Sequence, residues 1–305
     1  MTGNDAPKNI LHRSSLKFNS QMKTNTIILE GGLGNRMRVA AAAYTLALKI
    51  QQPLRVLWLP QWGMPCRFDQ LFLPLQTTLP FQLRDAQGLE KIIYTRARLS
   101  NLWMPRLAQK QLYRHIILAP QIYYLNKDGF DYEAWFRQGN AFMTAYRDFC
   151  SWDDALLAQL FQPLPALQQQ IDQQTASFTA STIGVHIRRT DNQQSILQSP
   201  IQLFFDTLDR LLQEQSDTLI YLATDDQTTK QQMRQRYGTQ RIITSTQPAT
   251  RDNDKGIQDA LVEMYTLSRT SKIYGSAEST FSEMAAKLGQ IPLYVLRCDS
   301  NRSKC

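Results

Sequence analysis

The chain has 305 residues, of which 43% are hydrophobic and 20% charged, the balance of a soluble globular protein rather than a peptide or a disulfide-stapled miniprotein. At roughly 150 residues per domain, the length predicts about two domains. Its 34 Lys and Arg exceed its 26 Asp and Glu by 8, and the surplus is confined to the first half: residues 1–150 hold 19 basic and 9 acidic side chains, residues 151–305 hold 15 and 17.

Residues 1–22 are polar and basic, lack the apolar region and small-residue cleavage site of a secretory signal, and read as a flexible tail. The apolar run 27–29 predicts a first strand, Gly31-Gly32-Leu33-Gly34 a turn, and 36–50 a helix in which Met37, Ala40, Ala41, Tyr44 and Leu48 recur at helical spacing. Residues 54–59 predict the next strand, completing a βαβ unit and hence a parallel sheet. The longest apolar stretch, 39–48, is half the roughly 20 residues that cross a bilayer, so no spanning helix is expected. Residues 60–149 are aromatic and Pro-punctuated, without a clear period.

A boundary is expected between Trp152 and Ser181, dividing the chain into units 23–165 and 166–305. Beyond it, strands are predicted at 182–187, 219–223, 241–244, 272–274 and 292–296, with helices at 200–214, 228–237, 256–269 and 279–288. This alternation indicates a second doubly wound α/β unit. Cys66, Cys150, Cys298 and Cys305 lack CxxC spacing and only three histidines accompany them, so reduced thiols in a cytoplasmic protein are expected rather than a zinc site.

A glycine turn ahead of a helix presents backbone N–H groups to anions. Alone, this one reads either as a structural tight turn or as a ligand-facing loop. The dinucleotide fingerprint is incomplete, because Met37 stands where a third small residue belongs and Trp58 and Leu59 where a ribose-binding acid belongs. That argues against a nicotinamide-dependent oxidoreductase. In Gly184-Val185-His186-Ile187-Arg188-Arg189-Thr190-Asp191-Asn192, strand alternation sends His186 and Arg188 to one face and Arg189 to the other. A guanidinium matches phosphate oxygens bidentately, so Arg188 suits a diphosphate, and Asp191 is expected to pair with Arg189.

Thr224-Asp225-Asp226 delivers two carboxylates to the same sheet edge. The run Gly275-Ser276-Ala277-Glu278-Ser279-Thr280-Phe281-Ser282-Glu283 puts hydroxyls at a strand end and helix start, where Ser279 either caps the helix or meets phosphate. All three features fall at carboxyl ends of strands, where open α/β sheets bind ligands. Asp252-Asn253-Asp254 has the DxD spacing of metal-dependent nucleotide-sugar transferases, but its flanks Arg251 and Lys255 favour a solvated charge run.

In this order, the GGLGNR loop, the HIRRTD and ATDD strand ends and the STFS turn resemble the GDP-fucose-dependent fucosyltransferase superfamily of α1,2-, α1,6- and protein O-fucosyltransferases. The resemblance runs from Gly31 to Gly289, with residues 60–180 unmatched and Ser276 to Ser279 inserted relative to some members. It implies an α/β, GT-B-like fold of two facing Rossmann-like domains with parallel sheets. It further implies inverting transfer of fucose from GDP-fucose to a glycan or lipid-linked acceptor, without metal or cofactor. By position, Arg188 corresponds to the arginine on the donor β-phosphate and His186 to its neighbour. Asp225, Asp226 and Ser282 correspond to residues of donor binding or fold integrity, with Thr280 and Phe281 in the same motif. Glu263 corresponds to an acid that reads guanine, and Asn35 to an asparagine near the fucose. Glu30, at the end of the first strand, is the candidate base.

The charge surplus then falls on the acceptor side. Residues 91–127 hold seven Lys and Arg and no acid, interleaved with Tyr94, Trp103 and Tyr113. They read either as a solvated helix face or as a surface for an anionic membrane or anionic glycan, which places the protein in the cytoplasm, peripheral to the membrane. A non-catalytic protein binding membrane or nucleic acid would explain the charge but not the HIRRTD, TDD and STFS runs, so no nucleic acid partner is expected.

Overall fold

The computed structural model describes residues 24–61, 63–190, 192–245 and 250–298; the tail 1–22 and Asp191 lie outside the described residues. The first half builds one parallel sheet from β1 (Asn25–Leu29), β2 (Leu54–Trp58), β3 (Phe81–Asp85), β4 (His115–Ile117) and β5 (Ala141–Ala145), in the order β3-β2-β1-β5-β4. The second half builds another from β6 (Ile183–Ile187), β7 (Ile220–Thr224), β8 (Ile242–Ile243), β9 (Ile273–Ser276) and β10 (Leu293–Leu296), in the order β10-β9-β6-β7-β8. These strands pair in parallel throughout. All five residues of β1, β6 and β7 are buried, as expected of strands covered on both faces, and most of them are apolar.

The helix Leu33–Ile50 begins three residues earlier than its periodicity suggests, because the glycine turn itself winds into its first turn. Ala40, Ala41, Ala42 and Ala43 are all fully buried, so this helix packs closely on more than one side. The predicted elements of the second half appear with ends shifted by at most two residues. Residues 60–149 contribute β3, β4 and β5, none of which the sequence pattern singled out.

Both sheets reverse their winding direction at their first strand, since β1 lies between β2 and β5 and β6 between β7 and β9. A crevice opens at the carboxyl end of such a strand. The glycine loop therefore leaves β1, and the His186–Arg188 run leaves β6, at the places where an open sheet receives a ligand. The halves share one continuous apolar core that includes Ile27, Met37, Leu261 and Met284. Polar ties close it further: Gln70 Nε2 donates to Asp254 at 2.7 Å, Lys287 pairs with Asp154 at 2.7 Å, and Tyr265 donates to the Phe161 carbonyl. Among the described residues, no helix is long and apolar enough to cross a membrane.

Candidate active site

The glycine loop is held from beneath by Arg36, a fully buried side chain whose Nε donates to the Gly31 carbonyl at 2.9 Å and whose guanidinium lies 4.9 Å from the Trp58 ring centre. Gly31 has φ +80°, a conformation that favours glycine, and a Cβ there would also meet the Asn35 side chain at 2.8 Å. Asn35 Oδ1 accepts from Arg38 at 3.1 Å, and Arg38 reaches on to Asp148 at 3.4 Å. At Gly34 the loop approaches the Thr280 carbonyl so closely that a Cβ would sit 3.1 Å away, which brings the first half against the start of the helix Thr280–Gly289.

From the other half, β6 and β7 end side by side. The Asp225 carboxylate accepts from the Arg189 N–H at 2.8 Å and the Thr190 hydroxyl at 2.7 Å, and lies 3.8 Å from the Arg188 guanidinium. The Arg188 N–H donates to Ser276 Oγ at 3.1 Å, and Asn192 Nδ2 to the Glu278 carbonyl at 2.9 Å. One carboxylate thus organises the loop that carries both arginines. Asp225 holds the backbone of this run, while the expected Asp191–Arg189 pair falls outside the described residues.

A cavity of about 290 Å³ lies between the halves, bordered by Gly34, Asn35, Arg188, Arg251, Ser279 and Thr280. A narrower recess of about 60 Å³ continues from Arg188, Arg251 and Phe281 past His186 and Asp225 to Glu263. Beyond Glu263 and Ser245 it opens into a third space of about 460 Å³ beside Gln174 and Tyr221. A broader depression of about 480 Å³ lies elsewhere, between residues 126–152 and the helix Thr280–Gly289. Its charged lining is already paired, Asp148 and Glu283 with Arg38 and Lys287 with Asp154.

His186 is stacked on Phe281, with ring centres 4.9 Å apart. Burial, and then the Arg188 charge, push its pKa down to about 3, so the imidazole is neutral at physiological pH. Its Nδ1 has no hydrogen-bond partner among the described residues, nor has the buried Ser279 Oγ. Ser279 lines the cavity at the N-cap position of its helix but makes no side-chain cap hydrogen bond, so the first helical N–H groups lack that partner. Glu263 is partly exposed to the recess and enclosed elsewhere. Burial pushes its carboxyl up to about 7, with the Lys230 ammonium opposing.

Asp226, Ser282 and Glu30 do not line these cavities. Asp226 caps the helix Gln227–Tyr237, accepting from the Thr229 N–H at 2.7 Å and hydroxyl at 2.6 Å. Ser282 is buried beneath Gly275, where a Cβ would sit 2.7 Å from its Oγ. Glu30 is set back beside the glycine loop. Its N–H donates to the Ala145 carbonyl at 2.7 Å, and burial raises its carboxyl pKa despite a Thr144 hydrogen bond and the charges of Arg96 and Arg36.

Arg251 is the residue that sequence reasoning missed. Read as a solvated flank, it lines both the cavity and the recess beside Arg188. In the DxD run next to it, Asn253 caps the helix Asp254–Leu267 through the Gly256 N–H at 2.8 Å, and Asp254 receives Gln70. The helix approaches the preceding loop so closely that a Cβ on Gly256 would lie 2.3 Å from the Thr250 carbonyl. Gly256→Ala should therefore destabilise the fold by about 1–3 kcal/mol, read as a lower urea midpoint, because backbone rather than a flexible side chain must yield. An unchanged midpoint would mean that the Thr250–Arg251 loop is not held by this contact.

No family model matches the chain, and no curated protein matches it in sequence. Solved structures do match. A NodZ alpha-1,6-fucosyltransferase soaked with GDP-fucose superimposes with a TM-score of 0.60 at 17% identity, over 87% of this chain and 93% of that one. A variant of FUT1 from Arabidopsis thaliana in complex with GDP gives 0.59 at 14% identity, over 92% and 73%. POFUT1 in complex with GDP-fucose gives 0.53 at 12% identity, over 89% and 98%. With its two facing parallel sheets, the chain has the GT-B α/β fold of these fucosyltransferases.

Proposed function

We propose that the protein is an inverting fucosyltransferase that moves fucose from GDP-fucose to a glycan or lipid-linked acceptor, with residues 166–305 holding the donor and residues 23–165 forming the acceptor side. The observation that carries this reading is the adjoining cavity and recess that share Arg188, the first bordered by the helix start at Ser279 and the second by the Glu263 carboxyl. Together they offer a cation and helix-start N–H groups to a diphosphate, then an acceptor group to guanine N1–H and N2–H2. The solved structures with GDP or GDP-fucose bound share this fold.

In this scheme the acceptor hydroxyl attacks the anomeric carbon and the bond to the β-phosphate oxygen breaks with its electron pair on GDP. The hydroxyl proton goes to a base, for which Glu30, set back from the cavity lining beside the glycine loop, is the candidate. Arg188 and the N–H groups after Ser279 stabilise that charge, and Arg251, lining the same cavity, adds a second cation. The raised Glu30 carboxyl suits a base, since burial strengthens its hold on a proton. Neutral His186 acts as a hydrogen-bonding group rather than a proton carrier, and Asn35 faces the sugar from the glycine loop.

A thermal-shift panel tests the reading. GDP and GDP-fucose at about 100 times the dissociation constant should stabilise the protein by roughly 2.7 kcal/mol, whereas NAD and DNA should not. Glu30→Gln should keep the GDP shift and lose about 100-fold or more in transfer to a glycan array read by mass spectrometry. No shift with any guanine nucleotide would defeat the proposal.

A further inference from the structure

The segment between β3 and β4 crosses one face of the first sheet. Its inner side is well packed: Tyr94 and Tyr113 share a 2.6 Å hydrogen bond and stack against Phe142 of β5. Its outer side is inverted. The helix Met104–Leu112 buries Pro105 and Gln109, with the Gln109 amide donating to the Ile93 carbonyl at 2.9 Å. Met104 and Leu107 point to solvent instead, 60% and 61% exposed. A surface helix of a water-soluble protein normally turns its apolar stripe to the core.

Ahead of this helix, Leu102 and Trp103 hold left-handed φ angles of 51° and 57°, a conformation unfavourable for bulky side chains. They stand 75% and 52% exposed beside Leu99, which is 82% exposed. More than half of the large hydrophobic side chains exposed among the described residues fall between 89 and 112.

Cations surround this apolar tip. Lys91, Arg96, Arg98, Lys110 and Arg114 are exposed, and residues 91–127 contain no Asp or Glu. The acid at the border, Glu90, is held by Arg84 at 2.7 Å and Arg55 at 3.1 Å. An apolar protein partner would desolvate these cations without compensation. An anionic bilayer accommodates both chemistries, taking Trp and Leu at the headgroup boundary and Lys and Arg at the lipid phosphates. We propose that this face docks the protein onto an anionic phospholipid bilayer, with Leu99, Leu102 and Trp103 inserted and the basic residues on the headgroups. The inference goes beyond the transferase reading and does not depend on it.

Vesicle co-sedimentation of the full chain tests it. The protein should bind vesicles of phosphatidylcholine mixed with phosphatidylglycerol and not phosphatidylcholine alone. Arg98→Gln and Lys110→Gln should each lower partition about fivefold, the equivalent of about 1 kcal/mol per basic residue. Leu102→Ser combined with Trp103→Ser should abolish sedimentation while the circular dichroism spectrum and unfolding midpoint stay unchanged. In the wild-type chain the vesicles should shift Trp emission to the blue, and Trp103→Phe should remove that shift. Absence of binding to the mixed vesicles overturns the proposal. So does equal binding by the Leu102→Ser, Trp103→Ser chain, which would show charge adsorption without insertion. A concentration-dependent wild-type dimer dissolved by the same substitutions also overturns it, in favour of a second copy on this face.

Discussion

Replacing Arg188 with lysine is expected to weaken GDP binding about 10- to 100-fold, and replacing it with alanine to lower transfer from GDP-fucose by about 100- to 1000-fold. The Asp225 carboxylate lies 3.8 Å from the guanidinium while also fixing the Arg189 N–H and the Thr190 hydroxyl, so the fork meets the cavity with its orientation already set. A lysine ammonium keeps the charge but loses the planar, two-point match to phosphate oxygens. Binding suffers in both variants because the diphosphate is charged before reaction. Turnover suffers more in alanine because charge grows on the leaving phosphate in the transition state. Calorimetric titration with GDP and initial rates with GDP-fucose separate the two effects. Unchanged GDP affinity in Arg188→Lys would move the phosphate to Arg251, the other arginine that lines both the cavity and the recess.

Asp225→Asn should give a milder version of the same loss. It removes charge from the anchor while leaving an oxygen that can accept from the Arg189 N–H. This behaviour distinguishes an organising carboxylate from one that touches the nucleotide.

The elements of the second half were legible because its central strands β6 and β7 are largely apolar and buried on both faces, and its strands are separated by helices with one apolar stripe, of which the helix Ile201–Glu214, burying Phe204, Leu208 and Leu211, is an example. In the first half, β5 is buried along all five residues and reads Ala-Phe-Met-Thr-Ala, with neither alternation nor a β-branched run to announce it. The three residues of β4 are too few to show a period. At the site, His186 and Arg188 were legible from strand alternation alone. Asp225 as an anchor was not, since its partners are 35 and 36 residues away. Arg251 was hidden for a related reason: charged neighbours make it look solvated, and only the close approach of Gly256 to the Thr250 carbonyl sets the loop that carries it. Asp226 followed a local rule instead, accepting from Thr229 three residues on as helix caps do.

GDP affinity should fall as pH drops below about 7, by up to tenfold per pH unit, and Glu263→Gln should remove most of this dependence. Burial disfavours the charged form of Glu263 and raises its pKa from 4.5 to about 7, while the Lys230 ammonium, bonded to the Ser245 carbonyl at 3.0 Å, opposes the shift. Guanine presents N1–H and N2–H2 as donors, which the carboxylate accepts and the protonated acid does not accept in full. Binding therefore selects the deprotonated form, and protons must be released when GDP binds near or below pH 7. The stability of the empty protein has the opposite sign. A carboxyl whose folded pKa is raised contributes stability below its unfolded value of 4.5 and loses that contribution as pH rises through 7, at no more than about 1.4 kcal/mol per pH unit. Glu263→Gln should thus be as stable as wild type in acid and more stable in base, yet bind GDP about 10-fold or more weakly at pH 8, since an amide offers one acceptor oxygen and an NH2 group that faces the guanine donors. Calorimetry in buffers of different ionisation enthalpy counts the released proton directly. A pH-independent affinity for GDP would place guanine away from Glu263, in the neighbouring space beside Tyr221 and Gln174.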